Sequence, residues 1–148
     1  MRALVQRVAR AEVRVDGRVV GAIGRGILVL LGVAPDDDVA TARALARRVV
    51  ELRIHADAEG RTNLSLAEVG GAVLAVSQFT LYADTRRGRR PGFAGAAQPD
   101  HAAAVYDGFC AALVQLGVRT ERGRFGAAME VELVNEGPFT IWLDTADR

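Results

Sequence analysis

The segment Ile27–Val33 is a continuous apolar run. A strand with one face in water alternates apolar and polar side chains, so a run without alternation fits a strand buried on both faces. Ala72–Phe79 reads as a second apolar strand. Strands of this kind need cover on each side, which points to a sheet with other elements packed over it.

The remaining pattern supplies those elements. Ala3–Val8 and Glu12–Val15 partly alternate, as in a half-buried sheet. Asp16-Gly17 is a hairpin turn signal, with Arg18–Ile23 as the returning strand and Gly24, Arg25 and Gly26 as a further turn. Val39, Ala42, Leu45, Ala46, Val49 and Leu52 recur at helical spacing. Asp36 or Asp37 is expected to cap that helix, with acidic residues in its first turn suiting the helix dipole. A Gly/Arg/Pro-rich loop runs from about Thr85 to Gln98. Pro99-Asp100 opens a second helix with Val105, Phe109, Leu113 and Leu116 on one face, and Gly117 is a natural stop. Glu130–Val134 and Phe139–Leu143 read as two strands separated by a turn at Asn135-Glu136-Gly137-Pro138. Strands are grouped rather than strictly alternating with helices. The expected fold is therefore α+β: a largely antiparallel or mixed, curled, barrel-like sheet with two helices. The 148 residues, half of them hydrophobic, suit a single domain over 1–148 with one real core.

Composition narrows the function classes. The net charge of +1 argues neither for nor against nucleic acid, and the absence of Lys beside abundant Ala, Val and Gly fits a GC-rich coding bias. A lone cysteine, Cys110, excludes an internal disulfide and reads as a buried, inert helix residue. No segment approaches the roughly 20 apolar residues of a membrane span. The first ten residues lack an apolar signal core, so a cytoplasmic location is expected. There is no nucleophile elbow, phosphate-binding Gly loop or dinucleotide fingerprint. His55 and His101, the only histidines, have no partners at zinc-motif spacing, so both read as surface or structural residues. No metal and no cofactor are expected.

Three segments stand apart. At Ser77-Gln78-Phe79-Thr80-Leu81 a hydrophobic strand ends in side chains that hydrogen-bond, with an aromatic among them. These polar groups either bond locally to the backbone or line a pocket in which Phe79 stacks on a base and Gln78 offers amide donors. Gly137-Pro138 is ordinarily a turn; its isomer is not readable from sequence. Arg86-Arg87-Gly88-Arg89-Arg90 is the densest charge cluster, either a solvated loop or a phosphate contact.

Together these segments resemble the D-aminoacyl-tRNA deacylase family. Ser77–Leu81 matches that family's Ser-Gln-Phe-Thr-Leu motif, and Asn135–Thr140 resembles its second motif, Asn-x-Gly-Pro-Val-Thr. Gln6-Arg7-Val8, Asp57-Ala58-Glu59-Gly60 with Asn63-Leu64, Ala83-Asp84-Thr85 with Arg87-Gly88, and Gly123-Arg124-Phe125 follow in family order, so the resemblance spans essentially the whole chain. One departure is Phe139, where family members usually carry Val; the larger ring is expected to narrow or reshape the pocket wall.

The resemblance implies a homodimer with active sites at the subunit interface. Each site would combine the Ser77–Leu81 segment of one subunit with a cis Gly-Pro pair from the other. The implied substrate is the 3′ end of an aminoacyl-tRNA. Ser77, Gln78, Phe79 and Thr80 are the implied catalytic residues, and Gly137, Pro138, Phe139, Thr140 and Arg7 the implied substrate-binding residues. Main-chain carbonyls at Gly137-Pro138 would reject an L side chain sterically and admit D-residues and glycine. Amides around Gln78 and Phe79 are candidate oxyanion donors, and Phe79 would pack near the terminal adenine. Thr80 is expected to position rather than attack, since no activating base is evident. The family is thought to use the tRNA's own ribose 2′-hydroxyl to help activate water. Arg7 is expected to brace the Gly-Pro loop. The rival expectations are an L-alanyl-tRNA editing enzyme of the same superfamily, a non-catalytic tRNA-end-binding module and a structural dimerisation domain.

Overall fold

The computed structural model describes residues 1–147. The strands are β1 (Arg2–Val15), β2 (Arg18–Ile23), β3 (Gly26–Gly32), β4 (His55–Ala56), β5 (Thr62–Leu64), β6 (Ala72–Ser77), β7 (Thr120–Arg122) and β8 (Glu130–Asp144). The helices are α1 (Val39–Glu51) and α2 (Pro99–Gln115), and a short 3₁₀ helix spans Phe79–Tyr82.

The apolar runs become the sheet's centre. β3 and β6 pair in parallel, Leu28 opposite Leu74 and Leu30 opposite Val76. Ile27, Val29, Leu31, Val73 and Ala75 face one way, into a cluster with Leu45, Val49, Val105, Phe109 and Leu113 of the two helices. Leu28, Leu74 and Val76 face the other way, into a second cluster with Val8, Val13 and Ile23. Each run is thus apolar throughout because alternate side chains serve different cores. Burying one such Leu or Phe fully contributes about 1.5–3 kcal/mol. The one buried phenol among them, Tyr106, donates its hydroxyl to the Ala75 carbonyl at 2.9 Å.

The sheet runs β2-β1-β3-β6-β7, with β8 on β1. β2 pairs with the Ala11–Val15 half of β1 and β3 with its Arg2–Val8 half, both antiparallel. Chain 18–32 is therefore one line along a single edge of β1, bent at Gly24-Arg25. The bend curls the sheet so that β7 returns toward β2 and almost closes a barrel. Gly21 permits the approach: a Cβ there would lie 2.5 Å from the Arg122 carbonyl oxygen.

The expected mixed, barrel-like sheet with two helices is what forms, with local corrections. Ala3–Val8 and Glu12–Val15 are a single strand. Glu130–Val134 and Phe139–Leu143 are also one strand, β8, because both halves pair with β1 in the same direction; a turn would have reversed the chain. The α1 cap is Asp38, whose carboxylate accepts from the Thr41 amide at 2.7 Å, and no acidic residue lies in the first turn. Asp37 turns inward instead, accepting from the Ala34 amide at 2.6 Å and the Met1 amino group at 2.7 Å.

Candidate active site

Ser77 ends β6 two residues before the expected Phe79. The Gln78 amide donates to the Leu31 carbonyl of β3 at 2.7 Å, and the chain then leaves the sheet. Leu81 N–H donates to Gln78 O at 3.2 Å and Ala83 N–H to Thr80 O at 3.0 Å, closing the 3₁₀ turn. The Gln78 side-chain amide donates to the Thr80 hydroxyl. The Gln78 and Thr80 side chains thus bond to each other rather than to the backbone, and Ser77, Gln78 and Phe79 line a cavity. Gln78 cannot serve as an oxyanion donor through its amide, which the sheet already uses. The Phe79 and Thr80 amides, at the start of the 3₁₀ helix, make no hydrogen bond outside it. Thr80 itself is exposed and does not line the cavity.

The cavity, about 560 Å³, lies at the carboxyl ends of parallel β3 and β6, roofed by the first turn of α2. Its size suits a nucleoside-sized ligand. Phe79 is 57% exposed at its mouth and meets the Phe93 ring edge-on, with centroids 4.9 Å apart. Phe125, Met129 and Val131 form the opposite wall. No described lining residue carries a titratable side chain. The polar groups available are Ser77, the Gln78 and Gln98 side chains and main-chain amides, with the positive end of the α2 dipole nearby. Sequence reasoning missed Phe93 and Met129. The one signal for Phe93 is that it is the sole aromatic in a Gly/Arg/Pro-rich loop.

The Gly137-Pro138 segment is built from β8 and Arg7. Gln6 pairs with Thr140 and Val8 with Asn135, so Arg7 alone stands opposite residues 136–139. β8 bulges there, and the Gly137-Pro138 bond is cis. The Arg7 guanidinium, mostly buried, fills the bulge. It donates to the Glu136 carbonyl at 3.1 Å and the Ile54 carbonyl at 2.5 Å, and lies 4.8 Å from the Phe139 ring centroid. Asn135 closes the other side, accepting from the Phe139 amide at 2.7 Å and donating to the Thr140 hydroxyl at 2.8 Å. Only glycine suits position 137: its φ is +128°, and a Cβ would lie 2.9 Å from Arg7 Nη2. Phe139 packs against the helix-side core, so its extra bulk is taken up inward.

Gly137 and Pro138 are exposed, and neither they nor Arg7, Phe139 and Thr140 line the cavity of their own chain. Val134 and Trp142, elsewhere on β8, are large apolar side chains left 42% and 46% exposed.

The histidines serve neither segment directly. His101 Nε2 lies 2.7 Å from the Asp37 carbonyl oxygen. His55, next to the Ile54 carbonyl that Arg7 holds, is fully buried, and its ring nitrogens have no partner among the described residues. Burial first, then the charges of Arg25 and Arg7, push its pKa below the ordinary value, keeping the imidazole neutral. Among the described residues no three His, Cys, Asp or Glu side chains are grouped to hold a metal ion, and no helix is long and apolar enough to cross a membrane.

The model of the family described as D-Tyr-tRNA(Tyr) deacylase matches residues 4–144. A D-aminoacyl-tRNA deacylase of Anaeromyxobacter dehalogenans is 61% identical over 145 residues, covering 98% of this chain and 97% of that protein. One from Roseiflexus castenholzii is 58% identical over 146 residues, covering 99% and 93%. Among solved structures, one described as c-Myc DNA Unwinding Element Binding Protein superposes with a TM-score of 0.91 at 38% identity, covering 98% of this chain and 99% of the other. A probable eukaryotic D-amino acid tRNA deacylase superposes at 0.83 with 23% identity, covering 96% and 97%, a likeness of fold.

Proposed function

This chain belongs to the D-Tyr-tRNA(Tyr) deacylase family, and from that premise we propose that it hydrolyses the ester joining a D-amino acid or glycine to the 3′ end of tRNA. The observation that carries the reading is the uncharged, aromatic-edged cavity at Ser77–Phe79. An unstacked base fits against Phe79 and Phe93. Water adds to the ester carbonyl, the oxygen takes up negative charge, and collapse releases free amino acid and tRNA. The Phe79 amide, without a partner outside its helix, is the donor we assign to that oxyanion. With no titratable side chain lining the cavity, the substrate's ribose 2′-hydroxyl is our candidate for activating water.

We further propose that the site is completed by a second copy of the chain. The exposure of Gly137 and Pro138 outside their own cavity supports this, as do exposed Trp142 and Val134. The partner's main-chain carbonyls at Gly137-Pro138 would stand where an L side chain must go. A fixed backbone rejects better than a side chain because it cannot rotate aside, and a D side chain or a lone hydrogen escapes it. In this reading Arg7 and Thr140 act by holding the carbonyls in place, Ser77 and Gln78 by shaping the pocket, and Phe139 by supporting Arg7. We take residues 1–148 as one domain working in the cytoplasm, where charged tRNA is available.

The test is incubation of purified protein with D-tyrosyl-tRNA, which must yield free D-tyrosine, alongside sedimentation, which must give a dimer. Release from L-alanyl-tRNA instead would favour the other editing branch. Binding without release would favour a tRNA-end-binding module.

A further inference from the structure

The chain between Asp84 and Gly92 is a loop pinched at its base. Asp84 N–H donates to Gly92 O at 2.7 Å, and Gly92 N–H to Asp84 O at 2.9 Å. All residues from Thr85 to Pro91 are exposed beyond that pinch. Both feet stand on the cavity's mouth. One foot follows directly from the 3₁₀ helix that begins with Phe79, and the other leads into Phe93, whose ring meets Phe79.

The loop's charge is arranged unevenly. Arg86 folds back on Asp84, with Nε 2.9 Å and Nη2 2.8 Å from its carboxylate oxygens, and so braces the loop. Arg87, Arg89 and Arg90 have no carboxylate or hydrogen-bond partner among the described residues, whereas Arg10, Arg14, Arg61, Arg119 and Arg122 are ion-paired; other unpaired arginines, such as Arg18, Arg25 and Arg124, are scattered, and only here do three fall within four consecutive residues. Three unpaired guanidinium groups on one short exposed loop gain most from a ligand that carries several closely spaced negative charges. Their forked donors match phosphate oxygens. The cavity beside them holds no charge of its own, so a ligand anionic only outside its reacting end suits both features.

We propose that Arg87, Arg89 and Arg90 form a rim that grips the RNA phosphate backbone leading into the cavity, fixing the polynucleotide while Phe79 and Phe93 hold its terminal nucleoside. This deepens the tRNA-ester reading and rests on it.

The test compares wild type with the triple variant Arg87, Arg89, Arg90→Ala, leaving the Arg86 brace intact. A control variant, Arg43, Arg47, Arg48→Ala, removes equal charge from the exposed face of α1. Two substrates are used, D-tyrosyl-tRNA and D-tyrosyl-adenosine, which has no phosphate. Rates are taken from 50 to 200 mM monovalent salt without divalent cations. Three phosphate contacts steepen the log–log salt slope by about 2.1–2.7, so on tRNA wild-type kcat/KM should fall roughly 20- to 40-fold more than the rim variant's over that range. The control should keep the wild-type slope, and D-tyrosyl-adenosine should be cleaved equally by all three proteins.

A wild-type slope in the rim variant overturns the proposal. So does an equal effect in the α1 control, which would mean net charge alone, or an equal loss on D-tyrosyl-adenosine, which would mean that the loop merely shapes the cavity. If wild type releases nothing from D-tyrosyl-tRNA, the hydrolase reading falls by itself. The rim is then judged by the salt slope of uncharged tRNA binding, with the same difference expected and the same equality overturning it.

Discussion

Replacing Arg7 with Ala separates a braced wall from an ordinary bulge. The guanidinium spends two donors on main-chain carbonyls, Glu136 O at 3.1 Å and Ile54 O at 2.5 Å, and faces the Phe139 ring at 4.8 Å. Charge-assisted hydrogen bonds are worth about 1.5–3 kcal/mol each, and a cation over an aromatic ring adds about 0.5–1 kcal/mol. These do not sum fully, because removing a mostly buried cation also removes the cost of desolvating it. A net loss of about 3 kcal/mol is expected, and at roughly 2–4 °C per kcal/mol for a chain of this size Tm should fall by about 6–12 °C. The same freedom should reach the Gly137-Pro138 carbonyls. Every 1.4 kcal/mol or so lost from rejection of the L substrate is a tenfold loss of discrimination, so the D-over-L ratio of kcat/KM should drop at least about tenfold. Arg7→Lys keeps the charge without the fork and should fall between. The assays are thermal unfolding by circular dichroism and paired rates on D- and L-tyrosyl-tRNA. An Arg7→Ala protein with wild-type Tm and wild-type chiral ratio would refute the reasoning.

Thr80→Ala removes an exposed hydroxyl that accepts from Gln78, so kcat should stay within about tenfold of wild type; complete loss, with folding and tRNA binding intact, would make Thr80 a reacting group. Asn135→Ala removes the acceptor of the Phe139 amide and one of two donors to the Thr140 hydroxyl, the Gln6 amide remaining, and should cost about 1–3 kcal/mol in urea unfolding, an expectation that an unchanged midpoint would contradict. His55 is held neutral when folded, with its pKa below the ordinary 6.5. Between the ordinary value and the lowered one the unfolded chain binds the extra proton, so stability should be full above about pH 6.5 and decline as pH falls toward the folded pKa. Tm measured from pH 7.5 downward should show that decline in wild type and less of it in His55→Phe, and parallel curves would count against it.

Much of the fold was legible because its signals are local. The Ile27–Val33 run, the helical spacing from Val39 to Val49 and the Asp16-Gly17 turn, with φ of 51° and 75°, each express one element's own physics. β8 was misread because Gly-Pro usually ends a strand; here Arg7, 129 residues away, supplies the contact that lets the strand continue. Asp38 took the cap because Asp37 turns inward to the Ala34 amide and to a tertiary partner that local pattern does not reveal, the Met1 amino group. At the site, the Ser77–Phe79 strand end stood out as polar atoms after a buried strand. Phe93 and the opposite wall did not, because Phe93 lies in the loop before α2 while Phe125 and Met129 lie in the loop before β8, with no shared spacing. Arg7 and Thr140 were legible by resemblance alone, since bracing through main-chain carbonyls leaves no pattern in side-chain types.

The most direct test of the account is a deacylation time course on D-tyrosyl-, L-tyrosyl- and glycyl-tRNA with purified protein and a chelator present. The account predicts release from the D and glycyl substrates with the L substrate spared. Release of L-tyrosine at the D rate, or no release from any of the three, would contradict it.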